Sequence, residues 1–267
     1  MNSDPLDPHG RDLHRRDLHR LDLGAVVIEP EVLRTAEEAC PYPRAFVTVS
    51  GAHLYGFASA DSDLDLRGVH LLPLAEVVGL TTGEETITWM SEDAEVDLVT
   101  HDLLKFARLL GSRNGYVLEQ LLSPLVVETT ELHAALTGLA PSLLTRHHAH
   151  HYLGFARNQW RLYEKTGELK PLLYTFRVLL TGVHLLRTGE VVCDLNVLAE
   201  APAYVPELIA LKREAEHAPA PPVEFEADML ALTALLERER DRSHLPETPP
   251  GLDDLHALVV ETRLAGK

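Results

Sequence analysis

The chain has 267 residues, of which 45% are hydrophobic and 24% charged, and its net charge is −17 at pH 7. This composition is typical of a soluble globular protein, and the length allows one large domain or two modest ones. The acidic balance argues against a protein that coats nucleic acid through a basic surface, although it leaves room for a local basic site.

Two features of the sequence predict a cytoplasmic protein without membrane contact. No apolar run approaches the roughly 20 residues that cross a bilayer, and the polar residues 1–24 lack the apolar core of a secretory signal. The two cysteines, Cys40 and Cys193, imply no disulfide framework and favour a reducing compartment. Nothing in the sequence indicates the oligomeric state.

The first half of the chain alternates short predicted strands and helices. A tandem RDLHR repeat within residues 11–22 builds no apolar face and predicts a flexible tail. The patterns that follow predict, in chain order, a helix over 29–39, a strand over 44–50, a turn or short helix over 51–62, a strand over 63–72, a short helix over 73–80, and an antiparallel pair of strands over 85–90 and 94–100 joined by a turn at 91–93.

After His101 the apolar spacing changes to three and four residues, which predicts helices. The strongest helical segments, 151–168 and 169–190, are each closed by a glycine of the C-cap type. A proline-rich connection over 217–225 precedes two final helices. The predicted fold class is therefore α+β, with a flexible tail over 1–24, a small mixed α/β domain over 25–138 and a helical domain over 139–267.

Three aspartates mark a candidate site on the predicted strands. Asp63 and Asp65 alternate with leucines, so both are expected on one strand face together with Arg67. Their oxygens can converge on divalent ions about 3.5 to 4 Å apart, as phosphoryl transfer requires, and such oxygens suit Mg²⁺. Asp97, which shares a strand face with Glu95, can complete the site and receive a proton from an attacking hydroxyl. Aspartates at a strand start also favour turns, so a solvated turn stays open.

A glycine-containing turn precedes the aspartates. Gly51 and Gly56 flank a segment whose backbone N–H groups can point at phosphate oxygens, because glycine allows a close approach. His53 within this segment can contact a phosphate or cap the short helix.

These residues resemble the DNA polymerase β-like nucleotidyltransferase superfamily. The segment "VSGAHLYGFASADSDLDLRGVHL", residues 49–71, is similar to the predicted nucleotidyltransferases associated with bacterial RNA-ligase repair systems. In that group a Gly-Ser-x-x-Tyr-Gly turn precedes Ser-Asp-x-Asp-x-Arg-Gly. The similarity continues over roughly residues 44–190, and its first block is the specific part.

The resemblance implies a palm-like catalytic domain that uses an NTP. Asp63 and Asp65 would bind two Mg²⁺ ions, for which Mn²⁺ can substitute, and Asp97 would be the third carboxylate, nearest the attacking hydroxyl. The turn residues Ser50, Gly51, Ala52 and His53 would hold the triphosphate. Ala52 replaces the usual serine, so a hydroxyl contact to the β- or γ-phosphate is missing, although Ser50 or the Ala52 N–H can substitute for it.

Several basic residues are candidates for phosphate contacts. Arg67 either steadies the aspartates as an ion pair or binds phosphate. Lys170, Tyr174 and Arg177 share one helical face, which is either solvated or in contact with the nucleotide, and the resemblance favours contact for Lys170 and Arg177. Residues 146–187 carry seven Lys and Arg against two Glu, so a phosphate-bearing ligand is expected there, and the resemblance suggests RNA as that partner.

The histidine cluster at 147–151 is a weak zinc motif, since no cysteine or acidic residue lies near with the spacing of a site.

The aspartates and the resemblance together predict a Mg²⁺-dependent nucleotidyltransferase that transfers a nucleoside monophosphate to a hydroxyl, and the resemblance suggests an RNA end as acceptor. Nucleotidylation of a protein or small molecule is an alternative. A second alternative is a nucleotide-binding regulatory protein with weak catalysis. Ala52 in place of the usual serine favours this alternative, and the intact set of three aspartates argues against it.

Overall fold

The computed structural model of the protein describes residues 20–91 and 95–265. In chain order it contains β1 (Leu21–Asp22), β2 (Val27–Ile28), α1 (Pro30–Ala39), β3 (Arg44–Val49), α2 (Gly51–Tyr55), β4 (Leu64–His70), α3 (Leu74–Val78), β5 (Thr86–Ser91), β6 (Val96–Asp102), α4 (Leu103–Gly111), α5 (Gly115–Leu121), β7 (Val126–Glu128), α6 (Glu131–Leu143), a 3₁₀ turn (Arg146–His148), α7 (Ala149–Thr166), α8 (Leu169–Thr188), α9 (Val205–Glu214), α10 (Glu226–Arg242) and α11 (Leu252–Ala265).

A five-stranded sheet with the strand order β5-β6-β4-β3-β7 forms the centre of the first half. Strands β4 and β6 pair in parallel, and the other neighbouring strands pair antiparallel. The parallel pair needs a crossover, which α3 and β5 provide. β3 and β4 are buried nearly throughout, as expected of central strands covered on both faces. β6 alternates buried and half-buried residues, so one of its faces lies in the core and the other is open enough to carry polar groups.

The predicted strands of this half are confirmed with small shifts of their ends. The strand predicted over 63–72 begins at Leu64, one residue after Asp63, and ends at His70. The predicted antiparallel pair corresponds to β5 and β6. Residues 92 and 93 of the turn predicted between them lie outside the described residues, as does residue 94, the first of the second predicted strand. Strand β7 was not predicted from the sequence, because its three residues are too few to show an alternation of apolar and polar side chains.

The predicted flexible tail over 1–24 falls mostly on residues 1–19, which lie outside the described residues. Its last residues form structure: Leu21–Asp22 pair with Val27–Ile28 in a small antiparallel hairpin. Gly24 adopts a φ of 76° in the turn, and its N–H donates to Asp22 Oδ1 at 2.8 Å. The hairpin therefore begins before the predicted domain start at residue 25.

Helices α7 and α8 pack against each other as a hairpin in the second half. Gly167 and Gly189 end them in the left-handed conformation, as the predicted C-cap positions require. Helix α8 is buried along most of its length and also contacts α9 and α10. None of the helices in the described ranges combines the length and apolar character that crossing a bilayer needs.

The last helix returns to the first half of the chain. Helix α11 contacts α4 and α6, and Arg263 donates to the Leu72 carbonyl at 2.7 Å and forms an ion pair with Asp102. Asp102 also accepts the N–H of Leu104 at 2.9 Å and so begins α4. The α+β fold class is confirmed, and the last helix packs against the first half of the chain.

Candidate active site

The centre of the candidate site is a pair of carboxylates on neighbouring strands. Asp65 on β4 pairs in register with Asp97 on β6, and because the strands run in parallel, both side chains lie on the same face of the sheet. Leu66 and Leu98, the next residues along, lie on the opposite face and are fully buried. The alternation of the two strands therefore places two carboxylates side by side above an apolar core.

Arg67 holds this pair together. It follows Asp65 by two residues and so shares its strand face, and its Nη2 donates to Asp65 Oδ1 at 2.6 Å and to Asp97 Oδ2 at 2.8 Å. Nη1 donates to the Asp97 carbonyl at 2.7 Å, and Nε donates to the Tyr116 hydroxyl at 2.9 Å. A single guanidinium thus fixes both carboxylates and connects them to α5.

The two carboxylates are partly buried, and burial affects the ionisation of Asp65. The side chains of Asp65 and Asp97 are 24% and 27% exposed. Burial raises the pKa of Asp65; the Arg67 charge opposes this effect and the Asp97 charge adds to it. A cation bound beside Asp65 in addition to Arg67 would therefore favour the ionised form of Asp65.

The turn before β4 packs directly on Asp65. Gly51 has a φ of 63°, and a Cβ atom at this residue would lie 1.8 Å from Asp65 Oδ2. The N–H of Ser50 donates to the Asp65 carbonyl at 2.8 Å. Only glycine fits at residue 51, both because of its left-handed backbone and because of this close approach.

The other predicted turn residues are largely enclosed. Ser50 is fully buried, and its hydroxyl has no hydrogen-bond partner among the described residues. Ala52 is buried in the core cluster. His53 is half-buried, and burial lowers its pKa, so its ring is mainly neutral at pH 7.

Two residues of α8 interact electrostatically with Asp65. In the buried first half of this helix, Lys170 and Tyr174 are half-buried and lie one turn apart. The charge of Lys170 lowers the pKa of Asp65. The pKa of Tyr174 is raised by burial and then by the charge of Asp65. Both side chains therefore lie within electrostatic reach of Asp65.

Glu216, which follows α9, ties Lys170 to the loop that leads into β4. Its carboxylate pairs with Lys170, accepts from Lys212 Nζ at 2.6 Å, and accepts from the Ser62 and Ser59 hydroxyls at 2.6 and 3.1 Å. Sequence reasoning missed this cluster; the four-residue spacing of Lys212 and Glu216 was the available signal. It also missed Tyr116, because no pattern in the sequence indicated that this tyrosine would contact Arg67.

The sequence of this chain matches a known protein family. A model of the RNA repair pathway DNA polymerase beta family matches residues 28–261, a range that includes every residue of the site. The chain belongs to this family. It is also similar to an uncharacterized protein of Methanocaldococcus jannaschii, with 27% identity over 230 residues that cover 82% of this chain and 93% of the relative. The predicted resemblance is thus confirmed, and the protein is a polymerase β-like nucleotidyltransferase associated with RNA repair.

Two acidic residues of this polymerase β-family chain lie outside the strands that were expected to carry them. Asp63 is exposed and precedes β4, although its charge is close enough to raise the pKa of Asp65 slightly. Glu95 has a φ of 50° and precedes β6. The structure therefore brings Asp65 and Asp97 together and places Asp63 just before the first residue of β4.

Arg177 does not face the site, which does not fit its predicted contact with nucleotide. Its side chain is 2% exposed, donates to Glu119 Oε1 at 2.7 Å, and stacks 3.8 Å from the centre of the Tyr55 ring. Burial is the largest effect and disfavours its charge, but the surrounding groups, Glu119 first among them, together outweigh burial and raise the pKa of Arg177. Three residues beyond Tyr174, the side chain turns inward, where its charge is paired with Glu119.

The basic segment over 146–187 separates into paired and unpaired cations. Its paired members bind acids elsewhere in the fold: Arg146 binds Glu247, Lys170 binds Glu216, Arg177 binds Glu119, and Arg187 binds Glu200 and Glu239. Arg157, Arg161 and Lys165 are exposed at four-residue spacing along α7 and form no ion pair with any described residue. The cations of this segment that have no acidic partner among the described residues therefore form a single stripe along α7.

The histidine cluster does not form a metal site in the described part of the chain. The His147 and His150 rings stack with centroids 5.6 Å apart, and His148 is buried against Thr145. Across residues 20–91 and 95–265, no three His, Cys, Asp or Glu side chains lie close enough together to hold a metal ion. Within these residues, Asp65 and Asp97 likewise lie together as a pair and not as part of a group of three.

Proposed function

We propose that this family member is a Mg²⁺-dependent nucleotidyltransferase that moves a nucleoside monophosphate from an NTP to a hydroxyl group, with an RNA end as acceptor, in the cytoplasm. The observation that carries the proposal is the in-register pair Asp65 and Asp97, held by Arg67 and covered by the Gly51 turn. A structural role gains nothing from two neighbouring half-buried carboxylates, because each raises the cost of ionising the other.

The donor set at this pair fits Mg²⁺. Asp65 Oδ1 and Asp97 Oδ2 accept from Arg67, whereas Asp65 Oδ2 and Asp97 Oδ1 accept no hydrogen bond from the described residues. Mg²⁺ in proteins is typically bound by one or two carboxylates together with waters and substrate phosphates. Two carboxylates with free oxygens are therefore sufficient, and Asp63 is the nearest residue that could add a third. Bound here as two ions, Mg²⁺, or Mn²⁺ in its place, would stabilise charge on the phosphates.

The residues support an in-line transfer. The oxygen of the acceptor hydroxyl forms a bond to the α-phosphorus of the NTP, and the bond between that phosphorus and the bridging oxygen to the β-phosphate breaks. Pyrophosphate leaves with the electron pair. Asp97 is suited to accept the hydroxyl proton, because its second oxygen is not held by Arg67.

Lys170 and the Gly51 turn are suited to hold the departing phosphates. Lys170 supplies a positive charge within reach of Asp65, and glycine at residue 51 lets the backbone approach a phosphate closely. Ala52 lacks the hydroxyl of the usual serine, so the buried hydroxyl of Ser50, which has no described partner, is the substitute we favour.

The stripe of Arg157, Arg161 and Lys165 supports RNA as the acceptor. Exposed cations without acidic partners attract phosphates, and in a chain with a net charge of −17 such a stripe is unusual. A protein or small-molecule acceptor would have no need of a row of cations spaced along a helix.

The decisive experiment combines the purified protein with each α-labelled NTP, Mg²⁺ or Mn²⁺, and RNAs with defined ends. We expect label on RNA with the wild type and at least a hundredfold less with Asp65→Asn or Asp97→Asn, as is typical when a charge-stabilising group is removed. Asp63→Asn tests the third predicted ligand separately. Asp253→Asn, an exposed aspartate at the start of α11, is the matched control and should keep full activity.

Two outcomes would contradict this function. Transfer that persists in the Asp65→Asn, Asp97→Asn double variant would rule out the carboxylate pair as the catalytic centre. Label on protein or on a small molecule, with none on RNA, would leave the chemistry in place and replace the acceptor.

A further inference from the structure

Glu216 is anchored by buried groups on one side of its carboxylate. Its Oε2 accepts from Lys212 Nζ at 2.6 Å and from the Ser62 and Ser59 hydroxyls at 2.6 and 3.1 Å. Lys212 is fully buried, and the two serines are buried in the loop that leads into β4. The side chain of Glu216 is itself only 13% exposed. The position of this carboxylate is therefore fixed by α9 and by the loop before the aspartates.

The other oxygen of this carboxylate, Oε1, pairs with Lys170 on α8 and with no other described residue. The Lys170 side chain is 36% exposed, so its ammonium group can contact a ligand, and its charge acts on Asp65. An ammonium group has three N–H donors, so a bond to Glu216 leaves two for phosphate oxygens. Because a lysine side chain is flexible, this bond also restricts where the ammonium group lies.

The pairing with Glu216 does not cancel the charge that Lys170 can offer to a phosphate. The carboxylate lies between two ammonium groups, so the three side chains together keep one net positive charge. Lys212 is fully buried, so it can offset the carboxylate but cannot contact a ligand. An ion pair that only masked Lys170 would have no need of this second lysine.

The segment after α9 is also bonded to the start of α8 through the backbone. The N–H of Leu169 donates to the Ala218 carbonyl at 2.9 Å, and the N–H of Ala220 donates to the Gly167 carbonyl at 2.8 Å. These bonds hold the backbone just before the lysine against the backbone just after the glutamate. The carboxylate and the ammonium group therefore meet between two fixed stretches of chain.

We propose that Glu216 is a positioning residue for nucleotide binding, which holds the Lys170 ammonium group where it contacts the phosphates of the NTP. The inference rests on the proposed function, in which Lys170 holds the departing phosphates. It adds that this contact depends on a carboxylate from the helical half of the chain, which itself does not touch the substrate.

A double-mutant cycle on ATP affinity tests whether Glu216 acts through Lys170. Calorimetry with the full chain and Mg²⁺, without RNA, measures ATP binding by wild type, Lys170→Met, Glu216→Gln and the variant with both changes, at a temperature where each is folded. Glu214→Gln removes the same charge from an exposed residue at the end of α9 and is the matched control.

A second variant keeps the inference testable if Glu216→Gln does not fold. Lys212→Met, Glu216→Met removes the buried pair as a unit, which typically costs much less than leaving one buried charge unpaired. Lys170 then keeps its charge and loses its anchor, so ATP binding should weaken as it does in Glu216→Gln.

We expect Lys170→Met to weaken ATP binding about 10- to 100-fold, the range for a hydrogen bond to a charged group. Either change at Glu216 should weaken ATP binding about fivefold or more when Lys170 is present, and less than about twofold when residue 170 is already methionine. Glu214→Gln should bind ATP as wild type does.

Three results would overturn the inference. ATP binding that is unchanged or tighter in the Glu216 variants would mean that the carboxylate does not position Lys170. A loss of equal size with and without Lys170 would mean that Glu216 supports only the fold. Normal ATP binding by Lys170→Met would remove the phosphate contact itself.

A failure of the proposed function gives a different pattern. In that case wild type does not bind ATP, or Asp65→Asn and Asp97→Asn transfer label as wild type does, and the inference fails with it. If transfer depends on the two aspartates and only the cycle with Lys170 fails, the function stands and Glu216 has a structural role alone.

Discussion

Asp65 and Asp97 occupy paired positions on parallel strands, and one nitrogen of Arg67 bonds to both carboxylates. Their separation is therefore set by the register of β4 and β6 and not by flexible loops. A site built on neighbouring strands of a buried sheet keeps its geometry when the surrounding loops move.

We predict that Arg67→Met destabilises the protein and makes it depend on Mg²⁺. Removing one partner of a buried ion pair costs about 3–5 kcal/mol, and the partial exposure of the two aspartates reduces this to about 2–4 kcal/mol. The uncompensated carboxylates should then gain more from a divalent cation. Urea unfolding with and without Mg²⁺ should show a larger metal-induced stabilisation in Arg67→Met than in wild type.

Arg34→Met is the control for that measurement. Arg34 pairs with Glu31 on the exposed face of α1, where an ion pair contributes about 0–1 kcal/mol. A Mg²⁺ effect of equal size in Arg67→Met and wild type would show that metal does not bind at the carboxylates.

We predict that Gly51→Ala abolishes transfer with a moderate loss of stability. The left-handed backbone would cost about 1 kcal/mol for alanine, and the new methyl group would overlap Asp65 Oδ2 and displace the carboxylate. Activity and urea unfolding should be measured together. Gly138→Ala on α6, where a Cβ atom meets nothing within 4 Å, should keep full activity and gain about 0.5–1 kcal/mol. Normal transfer by Gly51→Ala would show that the turn does not position Asp65.

The strand pattern was sufficient to predict the position of Asp65 and the proximity of Asp97. Alternation with Leu64 and Leu66 assigns Asp65 to one face, and that face is polar in the structure. The same pattern placed Asp63 inside the strand, but β4 begins only after it, because pairing with β6 starts at Leu64. Strand ends depend on the partner strand, which a local pattern does not contain.

Long-range pairs explain the other differences between prediction and structure. The helical spacing of Lys170, Tyr174 and Arg177 suggested one face, but Glu119 on α5 draws Arg177 into the core. Glu216 similarly receives its role from residues that are far away in sequence. A charge cluster read along the chain cannot distinguish paired cations from free ones, since the acids that neutralise them come from other elements.

We predict that Arg177 serves stability and not nucleotide binding. Arg177→Met should cost about 3–5 kcal/mol, because Glu119 would be left as an unpaired buried charge. The double variant Arg177→Met, Glu119→Leu should recover much of this loss, since it removes both charges. Urea unfolding measures the stability, and calorimetry at a temperature where the double variant is folded measures ATP affinity. A double variant that is stable but binds ATP at least tenfold more weakly would restore the predicted nucleotide contact.

We predict that Glu216 makes an acid-sensitive contribution to stability. Burial opposes its ionisation, but hydrogen bonds from Lys170, Lys212 and Ser62 outweigh this and lower its pKa from 4.5 to about 2. A lowered carboxyl pKa stabilises the folded state above the unfolded value, so the contribution of about 3 kcal/mol is complete above pH 4.5 and is lost as the pH falls toward 2.

The measurement is the difference in unfolding free energy between wild type and Glu216→Gln across this pH range. The difference should be about 3 kcal/mol at pH 6 and should shrink steadily below pH 4.5. Glu214→Gln, an exposed residue at the end of α9, is the control and should differ little from wild type at any pH. A difference that does not change with pH would mean that the charge of Glu216 is not what stabilises the loop.

We predict that Arg157 and Arg161 bind the phosphate backbone of the RNA acceptor. Each phosphate contact to single-stranded RNA contributes about 0.7 to the slope of log affinity against log salt concentration. The variant Arg157→Gln, Arg161→Gln should therefore bind RNA more weakly at low salt, with a slope about 1.4 smaller, and keep its affinity for ATP. The control, Arg238→Gln, Arg242→Gln, removes the same charge at the same spacing from the exposed face of α10. If both variants lose the same affinity, the effect comes from net charge, and the α7 stripe is not the RNA-binding surface.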